Sequence, residues 1–159
     1  MPSSRFTLRR FLRTVAVAGV VLLAGCGRAN TPASPPDPTR EAWYQPSTEE
    51  LASIAKEANA LFANHDGDGA AALIKKAEPI ANRLLSVPHP TLAAMEASSD
   101  LDDLYGRMLL SNRHYGWARL QFQKNAARWK NWQPRTSDTL KRLRQAVAAI
   151  EECDRRMME

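Results

Sequence analysis

Apolar side chains recur at intervals of three and four residues along most of this chain, and this spacing limits what the chain can fold into. From residue 47 onward the intervals place the apolar side chains on one face of successive helices, a pattern unlike the strict alternation of strands. The spacing predicts a last helix over residues 137–158 with one apolar stripe along a neighbour. The stripe contains five residues: Leu140, Leu143, Val147, Ile150 and Met157. We therefore predict an all-α fold, a small helical bundle of about four to five helices, over residues 47–159.

Polar and proline residues divide the first part of this region. Ser47 and Glu50 have the spacing of a capping box, in which a hydroxyl and a carboxylate bond each other's backbone N–H groups, so we expect the first helix to begin at Ser47. The polar segment 64–69 ends that helix. Because proline has no N–H and crowds the preceding turn, Pro79 is expected to kink the second segment or to start a new turn at Glu78.

Later boundaries are marked by two proline-containing segments. The sequence VPHP over residues 87–90 is a break, and we expect a short helix over 91–97 to follow it. A longer helical segment begins near Ser99 and ends at Pro134. Gly106 and Gly116 weaken this segment, which leaves open whether it forms one helix or two.

The segment before the helical region has a different composition. Residues 27–46 contain five prolines and few bulky apolar groups. Such sequences favour extended polyproline-like conformations, in which about fifteen residues reach roughly 45 Å. We therefore predict a tether over residues 26–46, with Trp43 and Tyr44 at its end acting as a latch onto the first helix.

Residues 1–25 have the pattern of an export signal. Four arginines and no acidic residue precede the apolar run 14–24. At eleven residues this run is too short to span a bilayer, which takes roughly 20. The sequence therefore predicts a cleaved signal peptide over residues 1–25.

The tetrapeptide Leu23-Ala24-Gly25-Cys26 at the end of the apolar run resembles the lipobox of bacterial lipoproteins. The resemblance implies that Cys26 is lipidated and becomes the N-terminus of the mature chain. One acyl chain gives only marginal membrane binding, whereas the two or three chains of this family anchor a protein stably. The resemblance thus implies a partner in the membrane and a location in the cell envelope. Gly27 follows the cysteine, where an aspartate is associated with inner-membrane retention, and this favours the outer membrane.

Two alternatives stay open at this end of the chain. An ordinary secretory signal followed by a coincidental cysteine would have the same charged and apolar regions. The segment Leu8–Arg13 also resembles a twin-arginine export motif, but Leu8 stands where the first arginine of the best-fitting register would be. We therefore favour export of the unfolded chain by the general pathway.

The net charge of the whole chain, +5, misleads, because four of its basic residues lie in the signal peptide. The remainder carries 18 basic and 17 acidic residues, so nucleic acid is not an expected partner. The charges are nevertheless segregated: residues 41–105 hold four basic and eleven acidic side chains, and residues 106–159 hold twelve and five. Either two complementary helical layers pack on each other, or the basic half binds an anionic partner.

Residue types that bind metals or catalyse reactions are scattered. His65, His89 and His114 are far apart and lack the spacing of zinc ligands. Segment 64–69 matches the opening of an EF-hand loop, but Lys75 stands where the loop needs a bidentate glutamate. We therefore predict no metal and no small-molecule cofactor, and we identify no catalytic residue.

The second cysteine, Cys153, has no disulfide partner if Cys26 is acylated. A lone thiol of this kind is either buried as a small apolar group or exposed and able to pair between chains. Cys153 lies beside the apolar stripe of the last predicted helix, so we expect it to be buried.

The stretch around the first turn is similar to a tetratricopeptide-type helical hairpin. The similarity lies in Ala60-Leu61-Phe62, Asp66, Ala70 and Lys76-Ala77. It implies two antiparallel helices whose small residues let the backbones approach closely. Such repeats recur with a period of about 34 residues, and no second copy follows at that spacing.

Basic and aromatic side chains alternate in segment 113–132, which makes it the candidate contact surface. Tyr115, Phe122 and Trp129 recur every seven residues and are expected in the core. The candidate partner-binding residues point elsewhere: Trp117, Lys124, Arg128 and Trp132. Tryptophan and arginine supply much of the binding energy at protein interfaces. The alternative is that both tryptophans cover the ends of the bundle.

These observations lead to one functional hypothesis and one alternative. The hypothesis is a membrane-anchored bacterial lipoprotein that acts as a non-enzymatic helical binding or scaffold module in the cell envelope, with a protein partner there. Inhibitor or immunity lipoproteins are one version of such a module. The alternative is a peptidoglycan- or lipid-modifying envelope enzyme.

The lipid anchor is tested by Cys26→Ser, which removes the acylation point. We expect the protein to move from the membrane fraction to the soluble fraction, because no other strong anchor is predicted. Cys153→Ser is the matched control and should leave the protein in the membrane fraction. Unchanged membrane association of Cys26→Ser on cell fractionation would contradict the lipoprotein hypothesis.

Overall fold

The computed structural model describes residues 36–159, which consist of helices and the segments that connect them. The predicted signal peptide and residues 26–35 of the expected tether, including Cys26, lie outside this range. A single 3-10 turn at Pro38–Arg40 precedes five α-helices. The helices are α1 (Tyr44–Ala63), α2 (Gly67–Leu85), α3 (Leu92–Ser111), α4 (Tyr115–Asn131) and α5 (Ser137–Met158). The predicted all-α bundle is confirmed, and none of these helices is both long enough and apolar enough to cross a membrane.

The helices pack mainly against their neighbours in sequence, and α3 is central. Helix α1 packs on α2, both contact α3, α3 packs on α4, and α4 packs on α5. Two apolar clusters fill the space between α1, α2 and α3, with Leu51, Leu84 and Leu104 fully buried among them. A third cluster, built around Phe122 and Cys153, joins α4 to α5 and to the end of α3.

The α1–α2 and α3–α4 hairpins are two copies of one structural unit. Helices α1 and α3 have the same length, and connections of equal length, 64–66 and 112–114, lead from them into α2 and α4. The turns also match, since His65 and Arg113 both adopt left-handed backbone conformations (φ 65° and 61°). The N–H of Asp66 donates to the carbonyl oxygen of Leu61 (2.9 Å). In the same way, the N–H of His114 donates to the carbonyl oxygen of Leu109 (2.8 Å). The expected hairpin is present, and it recurs at a longer spacing than tetratricopeptide repeats do.

Helix α1 begins at Tyr44, so the prediction of a capped start at Ser47 was wrong. Thr48 lies inside the helix, and its hydroxyl donates to the carbonyl oxygen of Tyr44 (3.0 Å). Pro46 falls in the first turn, where helix N–H groups have no partner within the helix and a proline is tolerated.

Trp43 and Tyr44, predicted as a latch at the end of the tether, instead start α1 itself and contact other elements. Tyr44 is 2 % exposed, and its hydroxyl accepts a hydrogen bond from the N–H of Thr91 just before α3 (2.9 Å). The indole of Trp43 lies under the guanidinium of Arg83 in α2, with the carbon of that group 3.9 Å from the ring centre. These contacts to other elements place both residues in the folded unit.

Two further boundaries differ from expectation. Leu92–Ser111 form one helix rather than a short helix and a longer one, with Thr91 as its N-cap and Asn112 as its C-cap. The predicted segment from Ser99 to Pro134, which could have formed one helix or two, is divided between α3 and α4. Helix α2 continues through Pro79 as one element. Pro79 has no N–H to donate to the carbonyl oxygen of Lys75, but this part of the helix is exposed, so water can donate to that oxygen instead.

Helix α5 has the predicted bounds, Ser137–Met158, and a capping box at Thr136 and Thr139 that the sequence analysis missed. Its predicted apolar stripe is only partly covered, with Val147 and Met157 exposed, because the face that packs on its neighbours is centred on Ala146 and Cys153. Its buried positions include Cys153, which is fully enclosed, as predicted. Removal of the thiol from water disfavours the thiolate, so burial raises the pKa of Cys153.

Gly106 lets α3 and α4 approach closely. A Cβ added at this position would lie 2.7 Å from Cε1 of Phe122, whose ring is fully buried. Gly116 in the first turn of α4 is the matched opposite, because nothing lies within 4 Å of a Cβ built there.

Alanine substitutions at the two glycines should therefore change the free energy of unfolding in different directions. Gly106→Ala should lower the free energy of unfolding by about 1–2 kcal/mol, since the clash outweighs the gain in helix propensity. Gly116→Ala should leave it unchanged or raise it by up to about 1 kcal/mol. Urea unfolding followed by circular dichroism measures both. A Gly106→Ala protein as stable as the parent would contradict the close packing of α3 on α4.

Candidate protein-binding groove

The surface that carries the predicted contact residues is built on a buried polar seam between α3 and α4. Ser99 of α3 is 4 % exposed and bonds two side chains of α4. Its hydroxyl accepts from the indole N–H of Trp129 (2.9 Å), and its carbonyl oxygen accepts from the side-chain amide of Asn125 (3.0 Å). Because buried polar groups are costly to leave unpaired, these bonds fix how α4 lies on α3.

The seam continues in a buried ion pair. One oxygen of Asp102 in α3 accepts from Arg128 of α4 and the other from Lys124, each at 2.8 Å. The Arg128 side chain is only 6 % exposed, and it also donates to the side chain of Asn125. Both ends of the guanidinium therefore have partners, as a buried cation requires.

Further ion pairs join the acidic and basic halves of the chain. Arg142 of α5 pairs with Glu96 and Asp100, which lie one turn apart on α3. Together with the Asp102 pairs, these contacts link the acidic first half of α3 to basic side chains of α4 and α5. Charge segregation along the chain had two explanations, complementary helical layers or a basic surface for an anionic partner. These ion pairs are those expected between complementary helical layers.

A groove lies between α2 and α4, with α3 as its floor. It consists of two adjoining cavities of about 420 and 470 Å³ that both contact Lys124. The first is lined by Ala71, Ile74, Lys75, Glu78, Ala81, Asn82, Leu101, Asp102, Tyr105, Gln121 and Lys124. The second is lined by Leu85, Pro90, Met95, Lys124, Ala127, Arg128, Asn131 and Trp132. We call these two cavities together the α2–α4 groove.

Three of the four predicted contact residues line this groove. Lys124 lies at the junction of the cavities, and Arg128 and Trp132 lie in the second one. Trp132 is half-buried, with its ring edge-on to Trp129 (6.3 Å between ring centres). Arg128 is held by Asp102, so it supports the groove rather than presenting a free charge.

Trp117 is the fourth predicted contact residue and the most open. It is 66 % exposed and lies one turn before Gln121, on the helix face that Lys124 and Arg128 share. Among the three residues expected in the core, Phe122 and Trp129 are buried, whereas Tyr115 is only half-buried.

Three features of this surface were missed. Leu120 is 52 % exposed, three residues after Trp117, and Tyr105 on the floor is 40 % exposed. The sequence pattern could have indicated that Leu120 is exposed, because Leu120 does not belong to the seven-residue series of core positions at 115, 122 and 129. The side-chain oxygen of Gln121 is shielded from solvent and accepts no hydrogen bond from residues 36–159, which no sequence pattern indicates.

The loop that resembles an EF-hand opening has another role. A side-chain oxygen of Asp66 accepts a hydrogen bond from the N–H of Gly69 (2.8 Å) and thereby caps α2. In the part of the chain that the structure describes, three or more His, Cys, Asp or Glu side chains nowhere come together as metal ligands would.

Comparisons with known proteins add no assignment: the chain matches no protein-family model, no curated protein and no solved structure.

The ion pair beneath the groove is tested by Asp102→Asn. This change leaves the buried guanidinium of Arg128 without an anion and should lower the free energy of unfolding by about 3 kcal/mol. Asp103→Asn is the matched control, because its pair with Arg107 is 41 % exposed on both sides and is expected to contribute less than about 1 kcal/mol. Chemical denaturation of both variants measures the difference. Equal losses would show that the Asp102 pair has no special structural role.

Proposed function

We propose that this protein is a membrane-anchored bacterial lipoprotein whose helical domain is a non-enzymatic binding module of the cell envelope. The α2–α4 groove and the adjacent Trp117 form its contact surface, and the partner is another envelope protein. An inhibitor or immunity role, in which the module blocks a toxin or hydrolase, is one form of this function.

The exposure of Trp117 carries the proposal. About two thirds of this side chain faces solvent, and Leu120 beside it is also more than half exposed. An indole buries on the order of 200 Å², so covering the exposed part would stabilise a complex by about 3 kcal/mol. Large apolar groups left together on a surface mark interaction sites, and tryptophan is among the strongest contributors to protein interfaces.

The charge of this face indicates the chemistry of the partner. Two basic residues of α4, Lys124 and Arg128, lie on this face, and both pair with Asp102. Lys75 on the opposite wall is exposed and forms no ion pair with another residue in 36–159. A partner that places an apolar side chain against Trp117 and carboxylates near Lys75 and Lys124 would complement this face.

The anchor belongs to the same proposal. Acyl chains on Cys26 would hold the module at the membrane, with the outer membrane favoured by Gly27. Confinement to the membrane raises the local concentration of module and partner, so that a contact surface of moderate affinity suffices.

In-cell photo-cross-linking tests the contact surface. A photoreactive residue at Trp117 should capture one dominant envelope protein, identified by mass spectrometry. The same residue at Val147, which is 42 % exposed on α5, is the matched control and should not capture it.

Substitution supplies the second arm of this test. Trp117→Ala should weaken binding of the captured partner at least tenfold while leaving unfolding unchanged, because the exposed indole packs little against the fold. Val147→Ala should bind as the parent does. Cross-linking of the same proteins from both positions, or unchanged binding by Trp117→Ala, would reject the proposed surface.

A further inference from the structure

A second cavity lies on the opposite side of α3, away from the α2–α4 groove. This cleft of about 410 Å³ opens where the ends of α1, α3 and α5 meet the start of α4. Its polar lining consists of Arg107, Ser111, Arg113, Tyr115, Glu152 and Arg156. It shares no lining residue with the groove.

The cleft is rich in hydrogen-bond donors that the fold leaves unused. Arg113 is exposed in the turn before α4 and forms no ion pair or side-chain hydrogen bond with another residue of 36–159. The Tyr115 hydroxyl makes no hydrogen bond within the same range. Arg107 uses Nε and one terminal nitrogen on Asp103 and Asn59, which leaves its other terminal nitrogen free.

The acceptors in the cleft are few and already engaged. Glu152 is its only acidic side chain, and it pairs with both Arg155 and Arg156. The lining therefore has three arginines and one carboxylate. Arg107 pairs with Asp103, and Arg156 pairs with Glu152 and lies 3.5 Å from Glu159, so Arg113 is the arginine of this lining that has no ion pair within residues 36–159. Planar guanidinium groups match the oxygens of phosphate in geometry as well as charge.

We propose that this cleft is an oxyanion site that binds a phosphate group, with Arg113 as its main ligand, Tyr115 as a neutral donor and Arg156 as a second cation through the terminal nitrogen that no carboxylate of residues 36–159 contacts. The cavity is several times larger than a phosphate ion, so the phosphate belongs to a larger molecule. A lipid headgroup and a soluble phosphate compound share this chemistry. The site is independent of the α2–α4 groove, and either proposal can fail while the other stands.

An NMR titration of the full chain in a non-ionic detergent at low salt tests the site with inorganic phosphate as the probe. The amide signals of Ser111, Arg113 and Tyr115 should shift and saturate. Arg113→Asn, which suits the left-handed backbone there, should weaken binding about tenfold. Arg156→Gln should weaken it similarly. Arg144→Gln is the matched control, an exposed arginine on α5 outside the cleft, and should bind as the parent does.

A second titration uses glycerophosphoglycerol, the soluble headgroup of phosphatidylglycerol. Tighter binding of this diester than of inorganic phosphate supports the site and assigns it to a lipid headgroup. Weaker binding supports the site and assigns it to a soluble phosphate compound. Shifts that do not saturate with either probe, or equal affinities of Arg113→Asn and Arg144→Gln, would overturn the proposal.

Discussion

The buried ion pair between Asp102 and Arg128 holds the second half of the bundle on the first. Two apolar clusters join α1, α2 and α3, and a third joins α4 and α5 to Leu109 and Leu110 at the end of α3. Over the first half of α3, this helix and α4 meet through Ser99, Asn125 and Trp129 as well as this pair. Further along they meet where Phe122 packs on Gly106. Polar contacts of this kind allow few alternative geometries, because a shifted helix would leave a buried charge unpaired. The seam therefore sets the position of α4, and α5 follows because it packs on α4.

A fixed α4 also explains why a groove exists. Helices α2 and α4 each pack on α3, and the space between them exposes the middle of α3 as a floor. Arg128 and Lys124 neutralise Asp102 in that floor, so the groove has no unpaired carboxylate at this point. As a proposed contact surface, the groove would have these side chains already ordered, which would lower the entropy loss on association.

Sequence patterns predicted those features that depend on neighbours along the chain. The three-four spacing gave the bounds of α5 and the burial of Cys153, and the heptad gave Phe122 and Trp129 as core residues. Tertiary contacts overrode the capping box at Ser47, because docking of Tyr44 starts the helix earlier. Similarly, helical periodicity placed Arg128 on the same face of α4 as Trp117. It could not indicate that Arg128 would be buried in an ion pair with Asp102, 26 residues earlier.

Some residues of the two proposed surfaces stabilise the fold and others do not. Binding can therefore be tested separately from folding. Arg128 stabilises the seam, so its loss would disturb folding and binding together. Trp117 and Arg113 contribute little to the packing: the first is two-thirds exposed, and the second has no ion pair within residues 36–159. Each is a large side chain left facing solvent, on opposite sides of α3. If both proposals hold, a change at either position should act on ligand binding with little effect on folding, and an effect on one ligand with none on the other would assign each surface its own partner.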